Sequence, residues 1–128
     1  VPARSRRTAA GDRNALGALG EQVASDWYES QGYSVADRNW RVREGELDLV
    51  LLAADGTIVF CEVKTRSSNR FGSPLEAVTP TKQRRLRTLG ALWLSSHKGM
   101  VGEVRFDVAG VMIGATGDPE IEIVQAGF

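Results

Sequence analysis

Only one cysteine occurs in the chain, Cys61, so neither an intrachain disulfide nor a multi-cysteine zinc site can form, and a reducing compartment suits it. No apolar run reaches the roughly 20 residues that span a bilayer. The opening stretch VPARSRRTAAGDR has no apolar core of the kind a signal peptide carries. The expectation is a cytoplasmic protein with no membrane partner. Net charge is missing too: 16 basic residues cancel 16 acidic ones, which argues against holding a polyanion by overall charge.

What is present is enough for one domain. At 128 residues, 42% hydrophobic and 25% charged, the chain can bury a core without disulfides or a structural metal. Its charges are also segregated. Residues 64 to 87 carry Lys64, Arg66, Arg70, Lys82, Arg84, Arg85 and Arg87 against Glu76, while residues 101 to 128 carry five acids against Arg105. Such a division fits either one face that meets phosphates or two solvated faces of opposite sign.

Residues 1 to 13, rich in Arg, Ala and Gly without periodicity, read as a flexible basic arm ahead of a single domain over 14–128. From Asn14 to about Gln31, Leu16, Gly20, Val23 and Trp27 recur at helical spacing, with Glu21 at the border of the stripe and Gly32 as the stop. Tyr33–Arg43, Gly45–Ala53 and Thr57–Arg66 read as three antiparallel strands, with AADGT at 53–57 as a tight turn. A loop over 67–78 follows, containing Phe71, Gly72 and Pro74. Thr79 and Pro80 suit the N-cap and first position of a second helix running to about His97. EVRFDVAGVMI at 103–113 and IEIVQ at 121–125 then alternate like strands, separated by GATGDP. This order predicts an α/β domain with a mixed central sheet flanked by helices.

Alternation along the second strand groups Glu46, Asp48, Val50 and Leu52 on one face and Leu47, Leu49 and Leu51 on the other. In the third strand Phe60, Glu62, Lys64 and Arg66 share a face, opposite Cys61, Val63 and Thr65. A hairpin centred on residue 55 pairs position 48 with position 62, each seven residues from the centre. Asp48 and Glu62 then oppose each other, and two facing carboxylates near a core need a compensating cation. One reading is a cross-strand salt bridge on a solvated face, with Glu62 held by Lys64 or Arg66. The other is a Mg²⁺ site, where a cation polarises a phosphodiester while Lys64 holds the phosphate and orients or deprotonates the attacking water. Glu21 on the first helix can add a further carboxylate. Asp48 favours the second reading, since it interrupts a strand that is apolar on both faces.

The combination of a helix with Glu21, a strand with Asp48, thirteen intervening residues and then Glu62, Val63 and Lys64 resembles the PD-(D/E)XK nuclease superfamily. The stretches GALGEQVA, GYSVADRNWRVREGELDLV, VFCEVKTR, FGSPLEAVTPTKQRRL and RFDV more closely resemble the YraN-like family of predicted endonucleases, similar in fold to Holliday-junction resolvases. The resemblance implies a restriction-endonuclease-like core: a helix, three antiparallel strands, a helix and further strands. It implies Asp48, Glu62, the Val63 carbonyl and Glu21 as metal ligands, and Glu21, Asp48, Glu62 and Lys64 as the catalytic set. Leu47 stands where the superfamily name places a proline, and Cys61, facing away from Glu62, reads as packing rather than as a nucleophile.

Basic residues near this set are the expected nucleic-acid contacts: Arg41 and Arg43 on the first strand, Arg66 after Lys64, and Lys82, Arg84 and Arg85 opening the second helix. Trp40 is either core or a stacking platform for a base. Trp27 and Trp93 belong to apolar stripes, His97 to a helix cap, and Asp107 to a pair with Arg105 or to the site's surroundings. The expected function is a Mg²⁺-dependent endonuclease hydrolysing DNA, branched or structured DNA included, with Mn²⁺ as a substitute metal. The alternative is a nucleic-acid-binding or assembly module that keeps the nuclease fold with little turnover. Resolvase-like folds also suggest a homodimer, because two strands must be cut symmetrically.

Overall fold

A computed structural model describes residues 9–67, 74–114 and 118–126. The first eight residues of the basic arm and the loop positions Arg70, Phe71 and Gly72 lie outside the described residues, as does the middle of GATGDP. Helix α1 spans Ala9–Ser30 and so begins five residues before the expected start, taking in the end of the arm. Strands β1 (Ser34–Val42), β2 (Gly45–Leu52) and β3 (Ile58–Arg66) follow. A short 3-10 turn over Pro74–Ala77 leads into helix α2, Pro80–Ser96. Strands β4 (Val104–Met112) and β5 (Glu120–Ala126) complete the order.

The five strands form one mixed sheet in chain order. β1, β2 and β3 make the expected antiparallel meander, β3 and β4 run parallel, and β5 returns antiparallel to β4. Parallel neighbours need a crossover, and α2 provides it between β3 and β4. The two helices cover opposite faces. α1 packs Ala24 and Tyr28 on Leu49, Leu51, Val59, Cys61, Ala109 and Val111. α2 packs Leu86, Leu89 and Trp93 on Leu47, Val50, Ile58, Phe60 and Val108. The mixed α/β core matches the restriction-endonuclease-like expectation.

Local chemistry explains the boundaries of α2. The Thr79 hydroxyl accepts from the Lys82 amide at 3.2 Å, and Pro80 takes the first turn, where its missing N–H costs nothing. At the other end His97 caps the helix, its ring nitrogen 2.7 Å from the Trp93 carbonyl and its ring stacked 4.0 Å from the Trp93 indole. That indole donates to Asp37 of β1 at 2.9 Å. Trp40 packs against the same core and meets His97 edge-on, so it is core rather than a free stacking platform.

The alternation expected for β2 breaks at Asp48. Leu47 and Val50, three residues apart, both lie in the core under α2, whereas Leu49 and Leu51 lie under α1. Grouping Leu47 with Leu49 and Leu51 is therefore corrected. β1 shows the same reset, with Asp37 and Trp40 both reaching the α2 side. Asn39 lies between them in a left-handed conformation (φ 48°), which asparagine tolerates better than most residues. The ladder joins Arg38 to Leu49 and Trp40 to Leu47, so Asn39 and Asp48 occupy the gap between two paired rungs. Both strands turn over at the same level, at the place where the acids gather.

Candidate metal centre

Pairing of β2 with β3 runs from Leu52↔Ile58 to Leu49↔Cys61, the register centred on residue 55. Beyond that rung the strands part. Asp48 does not continue the backbone ladder; its carboxylate reaches across and accepts the Val63 N–H at 2.8 Å. This fixes the Asp48 side chain beside Glu62. Burial first, then the Glu62 charge, push the Asp48 carboxyl up to about 8 from its ordinary 3.8.

Glu21 joins from α1. The helix comes close because residue 20 is glycine: a Cβ there would overlap the Thr65 hydroxyl and stand 2.7 Å from its Cγ2. Glu21, Glu46 and Asp48 each place a carboxylate oxygen within 4.8 Å of the others. The Asn39 amide, oriented with its nitrogen toward these acids, donates to Glu21 at 3.0 Å and Glu46 at 2.9 Å. Burial, with the Glu46 and Glu62 charges behind it, still raises Glu21 despite that bond. Arg41 pairs with Glu46 at 3.0 Å from a largely exposed position.

On the other flank the Lys64 ammonium lies 3.2 Å from Glu62. Although burial opposes it, contact with Lys82 and the Glu62 and Asp48 charges raise the Lys64 pKa, which keeps this lysine an ammonium. Lys82 is lowered by the same contact and by the Lys64 charge. Lys82 and Arg85 also line an open cleft of about 120 Å³ with Gly45, Glu46, Glu62, Leu86 and Leu89. Gly45, at φ 148°, ends the β1–β2 turn here, and a Cβ on it would press on Leu89 and Arg85.

Glu21, Asp48, Glu62 and Lys64 thus converge as expected. Among the described residues, the acids that gather within 4.8 Å of one another are Glu21, Glu46 and Asp48, a group that includes Glu46, which the sequence reading did not name as a ligand. Its spacing was a signal, since Glu46 and Asp48 are two residues apart on one strand. Val63 enters through its N–H to Asp48. Among the expected nucleic-acid contacts, Arg41 is engaged with Glu46, Arg84 donates to Thr81 on its own helix at 3.3 Å, and Arg43 is exposed in the β1–β2 turn. Arg66 ends β3, where its carbonyl accepts from Ile113 at 2.8 Å.

Three hard oxygen donors crowded at one point, one of them held far above its ordinary pKa, fit a small divalent cation. Asp107 belongs to a different structure. It is fully buried, bound by Arg105 at 2.9 and 3.0 Å and by the Tyr28 hydroxyl at 2.6 Å, with Arg105 also reaching Tyr33 at 2.8 Å. This network fastens the end of α1 to β4. Cys61 is buried under the same tyrosine, and burial raises its thiol pKa, which fits packing. No helix among the described residues is long and apolar enough to cross a membrane.

A helix-flanked mixed sheet with acids from α1, β2 and β3 and a lysine two residues after the last acid defines a PD-(D/E)XK-like protein. The chain belongs to the family described as Uncharacterised protein family UPF0102, the YraN-like group, whose model matches residues 20–111. A UPF0102 protein of Beutenbergia cavernae is 52% identical over 111 residues, covering 86% of this chain and 92% of its own length. One from Mycolicibacterium smegmatis is 51% identical over 110 residues (85% and 89%) and one from Clavibacter michiganensis 48% over 111 (87% and 93%).

Proposed function

We propose that the chain is a divalent-metal-dependent endonuclease that hydrolyses DNA phosphodiesters. The supporting observation is the joining of the Glu21, Glu46 and Asp48 carboxylates to the Glu62–Lys64 pair in one place. Glu21, Glu46 and Asp48, with Glu62 beside them, are the residues that would hold the cation. A bound Mg²⁺, or Mn²⁺ in its place, supplies a Lewis acid for the phosphate and lowers the pKa of an attacking water. The chain's own groups do the rest. The Val63 N–H holds Asp48 in place, and the Lys64 ammonium balances the charge that grows on the phosphoryl oxygens. Water oxygen bonds to phosphorus as one ester P–O bond breaks; the water's proton passes to solvent and the departing ester oxygen takes one up.

Arg41, Arg43, Arg66, Lys82, Arg84 and Arg85 are the proposed contacts to the DNA backbone, Arg41 being paired with Glu46, one of the acids that would hold the cation. The resolvase likeness makes branched or otherwise structured DNA the narrower substrate proposal, cut by two copies acting together.

The test incubates the protein and its Asp48→Ala and Lys64→Ala variants with linear, single-stranded, flapped and four-way DNA in Mg²⁺ or Mn²⁺. Cutting by the parent and its loss in both variants, with binding kept, is expected. If the parent cuts none of these, or the variants cut as well, the reading fails; binding without cutting identifies a nuclease-fold binding module instead.

A further inference from the structure

Glu21 of α1 and Glu46 of β2 bring two like charges together from a helix and a strand, and each resists the other. A side chain from a third element joins them. Asn39 of β1 takes a left-handed backbone conformation in the middle of its strand (φ 48°), which glycine adopts freely and asparagine only at some cost. It is exposed, so packing does not offset that cost. The offset lies at the amide. A carboxylate only accepts, so the nitrogen of Asn39 faces the acids, and its two hydrogens match two acceptors: Glu21 Oε1 at 3.0 Å and Glu46 Oε1 at 2.9 Å. The other oxygen of Glu46, Oε2, is held by Arg41 at 3.0 Å. Two residues of β1 thus touch one carboxylate in different ways. Arg41 does so with a charge that a cation would have to displace, Asn39 with a neutral group that holds like charges together and adds none.

We propose that Asn39 is a positioning residue of the metal centre: its amide ties Glu21 to Glu46 and sets the spacing at which the two carboxylates receive a divalent cation. The inference rests on the metal reading of the site. It gives β1, which supplies none of the gathered acids, the task of fixing their separation, and it explains asparagine rather than glycine at a left-handed position. Gly20 against Thr65 limits how near α1 comes to β3, while Asn39 holds the acid of that helix to the acid of β2. Bonds of this outer kind are worth about ten- to a hundredfold in metal affinity, and an exposed amide belongs at the lower end of that range.

Asn39→Gly keeps the left-handed backbone, removes the amide and, at an exposed position, empties no core space. Mn²⁺ titrations by calorimetry at low salt, counted per folded molecule, compare the parent with Asn39→Gly, Arg41→Ala, Glu46→Ala and the Asn39→Gly/Glu46→Ala double variant. Asn39→Gly is expected to weaken binding about tenfold with little change in urea midpoint, whereas Arg41→Ala, which frees the same carboxylate, tightens it. In the Glu46→Ala background the glycine substitution should cost about threefold or less, because only Glu21 is left to hold. The parent gives a second readout. Asparagine occurs three times, as Asn14, Asn39 and Asn69, so ¹⁵N labelling of its side chains leaves the Asn39 amide recognisable as the signal lost in Asn39→Gly, and it should follow the Mg²⁺ binding curve. Parent-like affinity in Asn39→Gly, a loss as large without Glu46 as with it, or an Asn39 amide unmoved by bound Mg²⁺ overturns the proposal and leaves the metal reading standing. A parent that takes up neither cation overturns both.

Discussion

Gly20 of α1 lies against Thr65 of β3 with no space for a single added carbon, and this contact sets how near Glu21 comes to Asp48. The strand residue that receives the helix is the neighbour of Lys64. One packing contact therefore governs the spacing of groups contributed by three elements.

Gly20→Ala is expected to push α1 outward. Overpacking of this kind costs about 1–3 kcal/mol, readable as a lower midpoint in urea, and the displaced Glu21 should weaken divalent-cation binding in calorimetry. Adding Thr65→Gly should restore much of the cation affinity, because it removes the atoms that collide. Unchanged affinity in Gly20→Ala would show that the helix position does not matter to the site.

The pH dependence follows from Asp48. Its folded pKa, about 8, lies above the ordinary 3.8, so the folded chain binds the proton more tightly than the unfolded chain does. In the absence of metal, stability should fall as pH rises from about 4 toward 8, with Glu21 adding to the same direction. Asp48→Asn should flatten that fall and make the metal-free protein more stable at pH 8 by roughly 1–3 kcal/mol. Thermal melts from pH 5 to 8 check both; saturating Mg²⁺ should flatten the parent's profile and not the variant's.

Arg41 holds Glu46 in an ion pair, and under the proposed metal-dependent function it would compete with the cation. Arg41→Ala is expected to tighten Mn²⁺ binding by about two- to fivefold at low salt, an effect that shrinks as salt screens the charge. Glu46→Gln should weaken it by about tenfold or more. Equal affinities in parent and Glu46→Gln would remove Glu46 from the ligand set.

The buried network answers a different measurement. Arg105→Ala leaves the Asp107 carboxylate buried without its ion pair, which costs about 3–5 kcal/mol, whereas Tyr28→Phe removes the hydroxyl that meets Asp107 and Cys61 and costs about 1–3 kcal/mol. Denaturation should rank the two in that order, and neither should change cation affinity per folded molecule.

Much of this was legible in the sequence because it is set locally. The turn at 53–57 fixes the register of β2 and β3, and Thr79-Pro80 fixes the start of α2, each through bonds to near neighbours. The face change at Asp48 was not legible. It depends on Asn39 taking a left-handed conformation in a strand, which only the facing rungs of β2 and the acids around its amide make favourable. Strict alternation placed Leu47 under the wrong helix for that reason. It placed Glu46 beside Asp48 correctly, but a spacing of two on a strand does not show that α1 brings Glu21 to both. The bond from Trp93 to Asp37 was likewise hidden, joining residues 56 apart in the chain.

β3 is the strand on which everything else is assembled, yet its two partners reach it very differently. β2 joins through a tight turn, whereas β4 pairs only after the chain has closed a long crossover, from Arg66 at the end of β3 to Val104 at the start of β4. Until then β3 has one open edge, carrying the buried apolar row Ile58-Val59-Phe60-Cys61. Refolding from denaturant should therefore be a race between intramolecular closure and pairing with another chain, with yield falling as protein concentration rises even where the finished fold is stable.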